Sequence, residues 1–248
     1  MSGLDPRLLL RGYAAGIFPM ADSRGAADIF WVEPRSRAIL PLRRFHLSRS
    51  LGRRVRSDRF EVTRDRAFAD VLHACAQREE TWINEQIERA TLGLHAAGHA
   101  HSIETWRDGK LVGGLYGVKL GGAFFGESMF STETDASKVA LAWLVARLKI
   151  GQFSLLDCQF MTGHLASLGA VTVARDRYVQ LLATALGSGA ASGAGRGDSS
   201  TAAAGAGGAD FFALDDLFDA RAAAAAGGDG AASGAPGQLI VQLLGHTS

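Results

Sequence analysis

Three polar residues lie in apolar surroundings that make them costly. Asp157 and Gln159 are two apart in Leu155-Leu-Asp-Cys-Gln-Phe160, and Glu127 lies in Gly126-Glu-Ser-Met-Phe130, close to Phe124. An unpaired polar group buried in such a run costs about 1–3 kcal/mol. Each therefore needs a partner or serves a purpose. On a strand, a spacing of two puts Asp157 and Gln159 on one face. A carboxylate and an amide side by side suit the positioning and deprotonation of an amine. A structural hydrogen bond to a neighbouring loop satisfies the same pair, and the residues alone leave both readings open. Glu127 follows the same logic at a strand end.

Other chemistries find little support. Gly126-Glu-Ser128-Met-Phe130 lacks the closing Gly of a nucleophile elbow. There is no Gly-Lys-Ser/Thr phosphate loop. His99 and His101 alternate as two strand ligands would, without an evident third. Cys75 and Cys158 are the only cysteines; they have no metal-ligand spacing and cannot build a disulfide scaffold. No metal or cofactor is expected.

The elements that must hold these residues follow from periodicity. Ala67–Ala76 and Ile83–Ala97 carry apolar stripes at helical spacing, and Gly98 stops the second. The period then changes to two. Strands are predicted at 102–106, 111–120 and 123–130, joined by turns at Asp108-Gly109 and Gly121-Gly122, which makes an antiparallel meander. Asp135 is placed to cap a helix reaching about Lys149, with Leu141, Leu144, Val145 and Leu148 buried. A strand at 155–160 reads as covered on both faces. A short helix near 164–168, a strand at 171–174 and a helix at 177–186 follow. The fold class is α+β, a mixed sheet flanked by helices. By analogy the order is that of GNAT-type acyl-transfer folds, which alone defines no function.

The 248 residues suggest one or two domains with ample core. The net charge of +1 by itself points to no nucleic-acid partner, but it hides two biased segments. Arg35–Arg66 holds eleven arginines against three acids, a net +8 over 32 residues. Such a patch suits phosphate, although a solvated, internally paired surface is the plainer reading. From Gly187 onward the chain is mostly Ala, Gly and Ser with a net charge of −4, and a flexible linker is expected over 187–237. Its island at 210–219 reads as a short helix resting on the body in preference to a docking motif, with Phe211, Leu214 and Phe218 on one face. Gln238–Leu244 reads as a strand returning to the sheet. No apolar run reaches 18 residues and the start lacks a signal-peptide pattern, so a soluble cytoplasmic protein is expected.

Several stretches together carry a resemblance. They are Arg11-Gly-Tyr-Ala-Ala-Gly-Ile-Phe-Pro19, Phe30-Trp-Val-Glu-Pro-Arg35, Phe45-His-Leu-Ser-Arg-Ser50, Glu80-Thr-Trp-Ile83, Gly98-His-Ala-His-Ser102 and Leu111-Val-Gly-Gly-Leu-Tyr-Gly117. The most specific are Phe125-Gly-Glu-Ser-Met-Phe-Ser131, Ala136-Ser-Lys138, Leu156-Asp-Cys-Gln159 and Ala166-Ser-Leu-Gly-Ala170. In this order, over roughly residues 7–186, the chain resembles the bacterial leucyl/phenylalanyl-tRNA–protein transferases.

The resemblance implies transfer of Leu, Phe or less often Met from aminoacyl-tRNA to proteins beginning with Lys or Arg, which marks them for degradation. It implies a small N-terminal domain (1–33) before a GNAT-like catalytic domain (34–186), with the linker (187–237) and terminal strand (238–248) beyond. Asp157 and Gln159 match the family's catalytic pair, and Glu127 matches a carboxylate beside the aminoacyl end. Leu115, Phe124, Met129, Leu144 and Leu156 would line the side-chain pocket, and Trp82 would pack on the terminal adenosine. Arg35, Arg43, Arg44, Arg49, Arg53 and Arg54 would meet the tRNA acceptor stem. The donor ester is already activated, so neither ATP nor metal is required. Gln159 oriented by Asp157 would accept from the amine, with the proton relayed to Asp157 or water; alternatively Asp157 binds the cationic acceptor end and proximity does most of the work.

The start of the chain suggests a reduced N-terminal domain, and Met20 stands where some members carry Trp. Two rival functions are an acyl-CoA-dependent N-acetyltransferase and a non-catalytic tRNA-binding protein. Ser131-Thr-Glu-Thr-Asp135, with two acids and no Gly, is a poor pyrophosphate loop and argues against the first.

Overall fold

In the computed structural model, residues 4–187, 208–226 and 235–245 are described. The elements are α1 (Pro6–Ala14), β1 (Phe18–Met20), β2 (Phe30–Val32), β3 (Ser36–Ile39), a 3-10 turn (Leu42–Arg44), α2 (Arg49–Arg56), β4 (Glu61–Arg64), α3 (Phe68–Ala76) and α4 (Glu85–Ala96). They continue with β5 (Ala100–Arg107), β6 (Lys110–Leu120), β7 (Ala123–Ser131), α5 (Ala136–Ile150), β8 (Leu155–Gln159), α6 (Gly163–Ser167), β9 (Val171–Ala174), α7 (Arg175–Ala185), α8 (Ala213–Ala226) and α9 (Pro236–Gly245).

The chain is α+β. Seven strands form one mixed sheet in the order β4-β5-β6-β7-β8-β3-β9, and β1 pairs with β2 separately. Only β7 and β8 run parallel. The alternation of side chains along the sheet feeds two cores. Leu115 and Phe124 enter the one built with α2, α5, α8 and α9, while Tyr116 and Phe125 enter the one built with α1, α3, α4 and α7. The meander β5-β6-β7 is as its periodicity predicts, and Asp108 and Gly109 both take positive φ in the first turn.

Local capping sets several helix starts. Asn84 accepts from the Ile87 N–H at 3.0 Å, so α4 begins at Glu85, two residues after the predicted Ile83. Asp135 precedes α5 but its side chain makes no cap bond; with φ 70° it turns to Lys138, at 3.0 Å, and Arg54, at 3.9 Å.

The C-terminal segments divide the expectations. The 210–219 island does rest on the body: α8 anchors through Phe211 and Leu214, both fully buried, and Phe218 stacks on Trp143 at 5.6 Å. Arg147 grips Asp215 through two bonds of 2.6 and 2.8 Å. The strand expected at 238–244 is instead the helix α9. Its Leu239, Ile240 and Leu244 are buried, and it packs on α2 and α5. A short apolar run fits either element, and here helical spacing presents these residues to two helices. The linker expected over 187–237 falls, at 188–207 and 227–234, outside the described residues. No described helix is long and apolar enough to cross a membrane.

Candidate active site

Two irregularities in the sheet build the site. Tyr116 pairs with Ser128, and Gly117 pairs with Gly126, so Glu127 is an extra residue on β7. Such a bulge re-aims a side chain out of the regular alternation. Gly117 permits it: a Cβ there would lie 2.3 Å from the Phe125 carbonyl oxygen. On β8, Asp157 pairs with Ile39 and Gln159 with Ala38, so Cys158 is likewise extra, and Gln159 takes φ 60°. Parallel pairing of β7 with β8 covers only Ala123–Phe125 against Leu155–Asp157. Beyond it, Gly126–Ser131 and Cys158–Phe160 line a cavity of about 990 Å³.

The expectation that Asp157 and Gln159 share a face is corrected by the bulge between them. Gln159 lines the cavity with Glu127, whereas Asp157 does not. Asp157 is fully buried and saturated with donors. Arg37 holds it through Nη2 on Oδ2 and Nε on Oδ1, the latter at 3.2 Å. The Tyr178 hydroxyl donates to Oδ2 at 2.8 Å, and the Gln159 backbone N–H donates to Oδ1 at 2.8 Å. Arg37 itself lies 4.6 Å from the ring centres of both Phe18 and Tyr178. Asp157 therefore neutralises a buried cation and fixes the backbone of Gln159.

Glu127 is the buried carboxyl that faces the cavity. The Gln159 amide donates to its Oε1 at 2.9 Å. Burial pushes Glu127 up to about 7, with Asp157 adding to the rise, while Tyr13, Gln159 and Arg37 oppose it. It thus changes charge near neutral pH. Cys158 also lines the cavity, but burial raises its thiol far above the ordinary range, so it supplies no thiolate. His164 lines the cavity with Nε2 unpartnered; burial and Lys138 lower its pKa and favour the neutral ring. His101, read as a weak ligand candidate, is buried against Asp65 at 2.8 Å and stacks on Phe211. Among the described residues, no group of three or more His, Cys, Asp or Glu is placed to hold a metal ion.

Of the expected pocket residues, Leu115, Met129, Leu144, Leu156 and Trp82 line the cavity. Phe124 does not; it is fully buried and stacks on Phe211 at 5.5 Å, part of the core beneath. Leu141 and Ser137 of α5 and Arg78 of the α3–α4 loop join the lining; Ser137 lay in the quoted Ala136-Ser-Lys138 and Leu141 in the helix's apolar stripe, but neither was assigned to the pocket. Met20 packs into the core on the α1 side and is not part of the lining.

The basic segment separates into two classes. Arg35, Arg43, Arg44, Arg49 and Arg53 are exposed and form no ion pair among the described residues, and Arg54 is half-buried near Asp135. By contrast Arg37 is buried, Arg64 pairs with Asp65 and Asp215, and Arg66 pairs with Glu61. Sequence reasoning counted Arg37 with the surface patch and gave no role to Tyr13 or Tyr178. Tyr13 lay inside a quoted stretch, but nothing in the sequence marked its partner.

Fold and site together present an apolar cleft into which a buried carboxyl with a raised pKa projects. Comparison with known proteins specifies the class. Residues 39–183 match the leucyl/phenylalanyl-tRNA protein transferase family profile, and residues 3–35 match that family's N-terminal domain. The chain is similar to the leucyl/phenylalanyl-tRNA–protein transferase of Rhizorhabdus wittichii, 60% identical over the whole of both chains. It is 52% identical to that of Novosphingobium aromaticivorans, covering 99% of this chain and 97% of that protein. It is 60% identical to that of Zymomonas mobilis over 75% of this chain and 70% of that one. The chain belongs to the leucyl/phenylalanyl-tRNA protein transferase family and is a transferase enzyme.

Proposed function

We propose that the protein transfers Leu or Phe, and less readily Met, from aminoacyl-tRNA to the α-amino group of proteins beginning with Lys or Arg, marking them for degradation. The observation that carries this reading is Glu127: a carboxyl raised to about 7, bonded to Gln159, in a cavity with apolar walls.

Leu115, Met129, Leu144 and Leu156 take the donor's apolar side chain, and Trp82 meets its terminal adenosine. The acceptor amine enters beside Gln159. The amide N–H of Gln159 is committed to Glu127, so its carbonyl oxygen is the atom left to accept from the amine. The amine nitrogen attacks the ester carbonyl carbon, and Glu127 takes the amine proton. The carbon–oxygen bond to the ribose then breaks, and the proton passes from Glu127 to the ribose oxygen. Asp157 takes no proton in this scheme, because four donors already occupy its oxygens. The exposed arginines of the 3-10 turn and α2, with Arg35 and Arg54, meet the acceptor stem.

The test supplies labelled Phe-tRNA or Leu-tRNA to peptides identical except for an N-terminal Lys, Arg or Glu. Label on the Lys and Arg peptides alone is expected. Label on the Glu peptide overturns the acceptor rule. No label from folded protein overturns the transfer reading.

A further inference from the structure

The 210–219 island takes no part in the chemistry above, yet it reaches the donor pocket from behind. Phe211, just before α8, is fully buried. Its ring stacks on that of Phe124 at 5.5 Å, with the planes 6° apart. It also meets His101 at 4.3 Å and the edge of Phe153 at 6.2 Å. Phe124 is the register partner of Leu156 across β7 and β8, so the two side chains stand together on one face of the sheet. Leu156 is a wall of the cavity. The Phe124 ring cannot settle closer to the sheet, because it already covers Gly117, where a Cβ would lie 2.4 Å from it. A continuous stack therefore runs from the wall at Leu156, through Phe124, to Phe211. The same segment also holds a second wall. Leu144 lines the cavity from α5. One turn further along α5, Arg147 donates to the Phe211 carbonyl at 2.7 Å and to both Asp215 oxygens. At the end of that helix the Gly151 carbonyl accepts from the Asp210 N–H at 2.9 Å.

We propose that Phe211 is a positioning residue for donor selection: acting through Phe124, it sets the depth of the pocket that takes the donor's side chain. It touches neither the substrate nor the reacting atoms. The proposal rests on the reading of Leu115, Met129, Leu144 and Leu156 as that pocket. A close-packed interior transmits a change of volume to its neighbours. With Phe211 in place, Phe124 and Leu156 have nowhere to retreat. A smaller residue at 211 leaves space behind Phe124, which the ring and the wall relax to fill. The pocket then deepens. Donors larger than Phe gain, and Leu, which fills the deeper pocket less completely, loses.

The test measures kcat/KM for adenosine esters of Leu, Phe and Trp with a Lys-initiated peptide, for wild type and Phe211→Leu. The Trp-to-Leu ratio is the readout, because a loss of folded or active protein lowers both rates alike and leaves their ratio unmoved. The ratio is expected to rise about tenfold in Phe211→Leu. Leu144→Ala, which enlarges the wall directly, should move it the same way. A ratio that answers to Leu144→Ala but not to Phe211→Leu overturns the proposal and leaves the pocket in place. A ratio that answers to neither overturns both, and so does folded wild type that transfers none of the three. A fall in all rates with a constant ratio makes Phe211 a residue of the fold alone and also overturns the proposal. If Phe211→Leu does not fold, Asp215→Asn serves: it loosens the grip of Arg147 on the same segment and leaves the core residues unchanged. A smaller rise in the ratio is then expected, and an unchanged ratio refutes the role.

Discussion

Asp157 accepts from four donors, two of them on the permanent cation Arg37, whereas Glu127 accepts from the neutral amide of Gln159. Both carboxyls are buried and both touch Gln159, one through its backbone and one through its side chain. The cation makes the difference. It compensates the burial of Asp157 within the pair, so this carboxylate becomes part of the framework. Glu127 has no such partner, so desolvation lifts its pKa to about 7 and leaves it able to exchange a proton. Burial of an acid thus indicates function only once its counter-charge has been accounted for.

The strongest test of this contrast is Glu127→Gln, which should lower the transfer rate about 10²–10⁴-fold while the protein remains folded. Single-turnover transfer and a thermal melt measure the two effects. An activity close to wild type would erase the distinction. Asp157→Ala should act on stability first. It strands Arg37 without a partner, and a loss of about 3–5 kcal/mol is expected in denaturant unfolding. Replacing both Asp157 and Arg37 by apolar residues should recover part of that loss.

The pH dependence of stability sharpens the contrast further. Glu127's folded pKa, about 7, lies above its ordinary 4.5, so the folded state keeps the proton longer than the unfolded chain. Its contribution is complete below about pH 4.5 and disappears as pH rises to about 7. Between pH 5 and 8, wild type should therefore lose about 2–3 kcal/mol relative to Glu127→Gln. Parallel stability curves for the two proteins would contradict the raised pKa. Asp215 shows the opposite sign. Burial raises its pKa, but Arg147 and Arg64 outweigh burial and leave it below its ordinary value. Its hold on α8 persists above that ordinary value and weakens only as pH falls through the folded one.

The smallest effects belong to the arginines, where Arg37 contrasts with the exposed set. Arg49→Ala and Arg53→Ala should each reduce the salt dependence of aminoacyl-tRNA binding by about one unit of slope. Neither should alter reaction with an aminoacyl-adenosine that lacks the acceptor stem. An equal loss with the small substrate would move these residues from tRNA contact to folding.

Much of the framework was legible in the chain. Helical stripes placed α3, α4 and α5, and a period of two with Asp108-Gly109 and Gly121-Gly122 placed the meander. These signals are local, because they repeat within one element. The candidate residues Glu127, Asp157 and Gln159 were visible as polar groups in apolar runs, and five of the six pocket residues that the resemblance implied line the cavity. Phe124, which the resemblance implied for the pocket wall, lies beneath it against Phe211, a contact with a segment that the matching stretches do not include.

The amino-acid sequence by itself determined the elements from α3 to α7, the family and the polar residues that would gather at the site. The tertiary structure decided what each of those residues is for. A bulge is a mismatch between two paired strands, so neither strand alone reveals that Glu127 is turned toward the cavity or that Cys158 separates Asp157 from Gln159. The Arg37–Asp157 pair spans 120 residues, and no local pattern distinguishes that arginine from its ten neighbours in the basic segment. The helix α9 likewise depends on α2 and α5, which present it with a surface that a strand would not cover. Charge compensation and register are properties of contacts between distant segments, and they set which carboxyl is held by a cation and which one faces the cavity without one.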